Sequence, residues 1–304
     1  MGQKDLTQKT LESYPDVFAD CVNALLYRGN PYLQAENLLP APTETTYPDN
    51  ADELHNQFQD VSKYEMQDGN IKTQYTIENQ SEPDRKMVLR KFGYEGARYR
   101  AQYQGDELYP IIDIVLYWGK RHWNYPRKLK RLIGKHLSAE ELRYVDDIHL
   151  HIFEMAHLPA EVRRIFKSDM RIIVDYLAEG RNYIPTDQKI LHVEALLRTL
   201  RALTNDHRFE HVLLQLTESE KKGDFRMCEL LDKYWNGGVA AGKAEGKAEE
   251  SIHNIRSMYK HKLPAETIAE LISQSLEYIN RIITLFTQYP EEDDLSIAKR
   301  LLAE

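Results

Sequence analysis

The tightest constraint on this 304-residue chain is a pair of strand-like runs, FQDVSKYEM (58–66) and IKTQYTIENQ (71–80), joined by Asp68-Gly69-Asn70. Gly and Asn tolerate the positive φ of a tight turn, so the segment reads as a β-hairpin. A three-residue loop pairs Gln67 with Ile71 and places Asp60 opposite Glu78. Strand side chains alternate between faces, so Glu78 and Gln80 project together. Asp60 joins them, with directly opposed Cβ atoms about 4.5–5.5 Å apart. Adjacent carboxylates repel unless a cation sits between them, and Mg²⁺ takes such oxygen ligands while keeping several waters. The same alternation also fits two ordinary solvent-facing acids, and geometry alone does not choose between them. A purely helical scaffold would require 58–80 not to form a hairpin.

Around the hairpin the pattern is that of an α/β protein. Val17, Cys21, Ala24 and Leu25 give residues 15–28 a helical period, and the Pro-rich segment 31–52 reads as loop with a short edge strand at Thr43–Thr46. A helix over 83–103 carries Met87, Arg90, Tyr94, Ala97 and Ala101 on one stripe, and YPIIDIVLYWG (109–119) reads as a buried strand. Residues 127–235 are mostly helical in pattern, with one more strand at 147–155. GGVAAGKAEGKAEE is a linker or a solvated helix weakened by glycine. The expected organisation is a core over 1–126, a helical extension packed on it over 127–236, a linker over 237–250 and a small helix-turn-helix-like module over 251–304. In that module Arg281 is the only base-reading cation of the second helix, so protein interaction or dimerisation is the better expectation.

A formal net charge of −8 argues against a polybasic binder, yet the charge is uneven. Residues 85–135 hold thirteen Lys and Arg against four acids, a net +9 that leaves −17 elsewhere. Arg85, Lys86, Lys120, Arg121, Arg127, Lys128, Lys130 and Arg131 are the candidates for phosphate contact. Tyr117, Trp118, Trp123 and Tyr125 interleave them, with core packing favoured over base stacking. Two distant cysteines, Cys21 and Cys228, both in apolar helical contexts, exclude a disulfide framework, and no run suits a membrane span. A cytoplasmic setting is expected. His149, His151 and His157 read as ordinary strand histidines, since no third metal ligand at suitable spacing is identifiable. Asp113 either approaches the acidic site, lies at a bulge or pairs with Arg90.

The run Glu78-Asn79-Gln80-Ser81-Glu82-Pro83-Asp84, with Met87, Arg90, Tyr94, Tyr109-Pro110, Leu116-Tyr117, Gly119 and Trp123, resembles the recombination-promoting nuclease (Rpn)/putative transposase family of the PD-(D/E)XK phosphodiesterase superfamily. Phe18-Ala19-Asp20, Asn23 and Asp60 extend the resemblance, which spans roughly residues 10–235. It implies a restriction-endonuclease-like core with a mixed β-sheet flanked by helices. It also implies metal-dependent hydrolysis of DNA phosphodiesters. Asp60 and Glu78, with the Asn79 carbonyl, would bind Mg²⁺ or Mn²⁺, Asp20 is a weaker fourth candidate, and Gln80 stands where the superfamily usually has lysine. Because Gln80 carries no charge, Arg90 or Lys86 is the expected transition-state cation; a half-buried ion pair with a strand carboxylate is an equal reading for Arg90. A homodimer through the helical C-terminal half is expected, since cutting both strands with one site per chain favours two chains. The alternative is an inactive nuclease-fold module that binds DNA or assembles with proteins. Strand transfer has no support in these residues.

Overall fold

The computed structural model describes residues 3–48, 54–58, 60–103, 105, 108–221, 225–232 and 237–303. Two compact units divide the chain, Met1–Met227 and Cys228–Glu304.

The first unit opens with α1 (Gln3–Glu12) and α2 (Pro15–Leu26), the latter started by Pro15 at its first turn. Strand β1 (Leu38–Pro40) follows, then β2 (Glu44–Pro48) and β3 (Leu54–Phe58), which among the described residues pair only with each other. The expected edge strand at 43–46 is therefore real but belongs to a separate ribbon. The run 58–66 is split: Phe58 ends β3, Gln59 lies outside the described residues, and Asp60 is a bend before β4 (Val61–Gln67). Next come β5 (Asn70–Gln80), α3 (Met87–Ala101), β6 (Ile111–Tyr117), α4 (Leu129–Ile133) and β7 (His151–Glu154). Helices α5 (Ala160–Arg163) and α6 (Met170–Glu179), strand β8 (Lys189–Ile190), helices α7 (Val193–Thr204), α8 (Arg208–Gln215) and α9 (Glu218–Lys221), and strand β9 (Phe225–Arg226) complete the unit. The helical pattern expected over 127–235 is thus present, apart from 222–224 and 233–235, which lie outside the described residues.

The main sheet has the order β1-β4-β5-β6-β7, antiparallel from β1 to β5 and parallel from β5 to β7. Its register was reached by a route the sequence did not suggest. The hairpin turn has two residues, Asp68 and Gly69, both at positive φ, which suits a turn matching strand twist. Gln67 pairs with Asn70 rather than Ile71, and a bulge beside Glu65 and Met66 leaves Lys72 as the extra residue. Beyond it Val61 pairs with Ile77, so Asp60 does come to lie one step past that pair, next to Glu78.

Both faces of the sheet are covered. Thr76, Glu78 and Gln80 share one face with Asp113, Val115, Tyr117, Ile152 and Glu154, by register and alternation. Met87 and Val88 of α3 pack there with Val115, Tyr117, Trp123, Leu150 and Ile152. The buried stripe of α3 is Met87, Val88, Lys91, Tyr94 and Arg98; Arg90 is on its flank, Ala97 is half-buried and Ala101 is exposed. Hydropathy misplaced this stripe because two of its members are cations held by Glu95 and Asp113. On the opposite face, Tyr75 meets Tyr27 of the α2 C-cap through a 2.8 Å hydroxyl bond, and Lys63 donates to the Ser13 carbonyl.

Helix α7 and the residue before it hold α1 and α2. Thr199 of α7 donates to the Thr7 carbonyl, and His192 sits 3.0 Å from the Asp16 carboxylate and stacks on Tyr14.

The second unit contains α11 (Gly237–Lys260), α12 (Ala265–Leu271), α13 (Leu276–Gln288) and α14 (Asp294–Ala303), while α10 (Met227–Leu231) begins at the last residue of the first unit. Its core joins Ile252, Ile255, Ile268, Ile279, Ile282, Phe286, Ile297 and Leu301. The backbone over 237–250 is helical and continues unbroken into 251–260. Cys21 is buried, whereas Cys228 is only half-buried.

Candidate metal centre

Asp60 stands at the entrance of β4 and Glu78 near the exit of β5. Asp60 Oδ2 accepts the Asn79 main-chain N–H at 2.5 Å, and Oδ1 meets the Lys9 ammonium at 2.7 Å. Glu78 is buried; Oε1 accepts from Arg90 Nη2 at 2.7 Å, while Oε2 has no hydrogen-bond partner among the described residues. Burial, reinforced by the charge of Asp60 and only partly offset by Arg90, pushes the Glu78 carboxyl up to about 8. Glu78 thus combines a carboxyl destabilised as an anion with one oxygen that has no hydrogen-bond partner among the described residues.

Arg90 gathers the residues around it. Besides Glu78, its guanidinium donates to Gln80 Oε1 at 3.2 Å and lies 3.5 Å from both Asp84 Oδ2 and the Tyr94 hydroxyl. The ion pair with a strand carboxylate is therefore what the structure contains. Gln80 in turn donates to the Glu82 carbonyl at 2.6 Å.

Lys9 and Glu12 escape sequence reasoning. Asn79, on the other face of β5, donates to Glu12 Oε2 at 2.6 Å and accepts from the Trp118 indole, also at 2.6 Å. Glu12 is fully buried, its Oε1 lacks a partner among the described residues, and burial raises its carboxyl well above the usual range despite the Asn79 bond. Lys9 and Glu12 both come from α1, which hydropathy does not reveal because its buried positions include Gln8 and Glu12 beside Leu11. The usable signal was a Gln–Glu pair at i and i+4 ahead of an apolar helix.

Other expected members lie elsewhere. Asp20 is not with the carboxylates: its Oδ2 accepts the main-chain N–H groups of Lys167 and Ser168 at 2.9 and 2.7 Å and the Ser168 hydroxyl at 2.7 Å. That is a tether of α2 to the segment before α6. Asp113 pairs with Arg98, not Arg90, and is not at a bulge.

The basic segment is dispersed by pairing. Arg121 meets Glu82 at 3.0 Å and Arg127 meets Glu154 at 2.7 Å. Arg85, Lys86, Lys120, Lys128 and Arg131 are exposed and Lys130 half-buried. The β5, β6 and β7 strands run parallel, so the segments that follow them, with Arg85, Lys86, Lys120 and Arg121, leave the same edge of the sheet. Tyr117, Trp118 and Trp123 are core residues and only Tyr125 is exposed. Gly119 is required there, because a Cβ would lie 2.0 Å from the Tyr117 hydroxyl oxygen.

A five-stranded mixed sheet flanked by helices, with acids meeting at the ends of an antiparallel pair, defines an α/β protein of the PD-(D/E)XK-like class. The chain belongs to the family described as "Putative transposase, YhgA-like", whose model matches residues 50–208, just over half its length. That span includes Asp60, Glu78, Gln80 and Arg90 and leaves Lys9 and Glu12 outside. No curated protein and no solved structure matches the chain. No helix among the described residues is long and apolar enough to cross a membrane.

Proposed function

We propose that the protein is a divalent-metal-dependent endonuclease that hydrolyses DNA phosphodiester bonds. The observation that carries this reading is the buried, unpaired Oε2 of Glu78 beside a second carboxylate, Asp60. The donor set is all oxygen, which suits Mg²⁺ or Mn²⁺, and Asp60 and Glu78 would hold the ion. Such a cation supplies Lewis acidity and a more acidic water. Arg90 offers its guanidinium to the negative phosphate, and Gln80 orients a water through its amide. Asn79 fixes Asp60 by its N–H and ties β5 to Glu12 by its side chain. The exposed Arg85, Lys86, Lys120 and Arg121 supply phosphate contacts along the shared edge. Mobile-element recombination is the proposed setting.

One observation favours a second reading, a nuclease-fold DNA-binding module that does not cut. Lys9 and Arg90 already neutralise one oxygen each of Asp60 and Glu78, and both ends of the Gln80 amide are used. Supercoiled plasmid incubated with the full chain and Mg²⁺ or Mn²⁺ separates the two. Nicking by the wild type that falls at least about 100-fold in Glu78→Gln, with thermal unfolding intact, is expected for the enzyme. Equal cleavage by both proteins overturns it, and binding without cleavage under either metal supports the second reading.

A further inference from the structure

A second cluster of metal-ligand side chains lies on the same face and edge of the sheet, away from Asp60. His122, Glu154 and His157 each present a ligand atom, and these atoms lie within 4.8 Å of one another. Glu154 ends β7 and stands in register with Tyr117 of β6, which stands in register with Gln80 of β5. Two interstrand steps of about 4.8 Å each therefore separate its backbone from that of Gln80.

The surroundings order these three residues as ligands. Arg127 Nη2 takes Glu154 Oε1 at 2.7 Å, which turns Oε2 toward His122 Nδ1 at 2.9 Å and the Trp123 N–H at 3.1 Å. Burial opposes ionisation of Glu154, but the Trp123 N–H, His122 and Arg127 outweigh it and hold the carboxyl below its usual range. His157 Nε2 lies 3.1 Å from the Lys120 carbonyl. A carbonyl only accepts, so Nε2 carries the hydrogen and the lone pair of the neutral ring is on Nδ1. Imidazole N–H bonded to a backbone carbonyl is the usual outer arrangement of a metal-bound histidine. The two rings lie 4.1 Å apart, tilted by 30°.

We propose that His122, Glu154 and His157 form a zinc-class divalent cation site that pins the segment after β6 to the end of β7. Two imidazoles and one carboxylate are a known zinc donor set, whereas Mg²⁺ prefers oxygen alone. The ion replaces the hydrogen shared by His122 Nδ1 and Glu154 Oε2, whose 2.9 Å separation must open by a few tenths of an ångström to span two bonds of about 2.0–2.2 Å. From the sequence His157 reads as an ordinary histidine, because its partners, 35 and three residues upstream, share no motif spacing.

The test is Zn²⁺ binding to the full chain by competition with a chromophoric chelator, repeated with Co²⁺ for its visible absorption. Expected is one tight equivalent that persists in excess Mg²⁺ and in the Asp60→Asn/Glu78→Gln variant. It should weaken at least about 10-fold in His122→Ala and in His157→Ala. His122 is largely exposed, so its loss leaves the fold intact, as thermal unfolding checks. No tight equivalent in the wild type, or one indifferent to both histidine variants, overturns the proposal. An equivalent lost only in Asp60→Asn/Glu78→Gln also overturns it, because the zinc is then held by the carboxylate centre. The result is independent of whether the chain cuts DNA.

Discussion

Helix α3 sends two arginines, two turns apart, to two carboxylates on the sheet, and the pairs differ in everything but chemistry. Arg98 and Asp113 are 6% and 5% exposed and Arg98 also donates to Thr76. Arg90 is 37% exposed while its partner Glu78 is 7% exposed. Each carboxylate leaves one oxygen without a hydrogen bond among the described residues. What separates them is Asp60: beside Glu78 a second acid adds repulsion that one arginine does not cancel. One pair closes an interior, and the other leaves a destabilised carboxylate at the edge of the sheet.

The largest expected effect follows from closing that interior. Removing one partner strands a buried charge, so Asp113→Ala or Arg98→Ala should cost about 3–5 kcal/mol in chemical denaturation. Replacing both, as in Arg98→Met/Asp113→Leu, should recover most of that loss, since a buried pair seldom outperforms apolar packing. A double variant as unstable as the sum of the single ones would show that the pair itself holds α3 to the sheet.

At Glu78 the sign reverses. Its folded-state carboxyl, raised from 4.5 to about 8, keeps a proton that the unfolded chain gives up, so stability is lost as pH rises from about 4.5 to about 8. Glu78→Gln should therefore be stabilising in the absence of metal, little at pH 5 and by a few kcal/mol at pH 8 and above. Mg²⁺ should protect the wild type more at pH 8.5 than at pH 6, because binding must release that proton, and should not protect the variant. Thermal unfolding across pH, with and without Mg²⁺, measures both. A variant less stable than the wild type at pH 8 would mean that Arg90 outweighs burial and Asp60 together.

The sequence disclosed the parts of this arrangement that obey alternation. The adjacency of Asp60 and Glu78 and the shared face of Glu78 and Gln80 follow from a period of two, and the apolar β6 announced itself as buried on both sides. Even so, the hairpin register rests on two features that offset each other, a shorter turn and the bulge at Lys72. What stayed hidden was polar and buried: Glu12 and Gln8 on α1, Lys91 and Arg98 on α3. The burial of Glu12 and Arg98 is made tolerable by partners distant in sequence, Asn79 and Asp113, which no local pattern encodes, whereas Lys91 meets Glu95 one turn along its own helix. The basic segment misled for the same reason, since Arg98 is an interior residue and Arg127 belongs to Glu154.

A third arginine extends the comparison to its exposed limit and to the smallest effect. Arg121 and Glu82 meet at 3.0 Å with 80% and 76% of their side chains exposed, where water screens the pair and holding two long side chains together costs entropy. Arg121→Ala should leave thermal unfolding unchanged at any salt concentration. Its value is as a charge on the edge that the proposed DNA substrate approaches. Loss of one phosphate contact lowers the salt dependence of binding, so the slope of log K against log salt should fall by about one for duplex DNA. A stability loss with an unchanged slope would make Arg121 a structural clamp like Arg98; an unchanged slope without such a loss would remove it from the phosphate-contacting set.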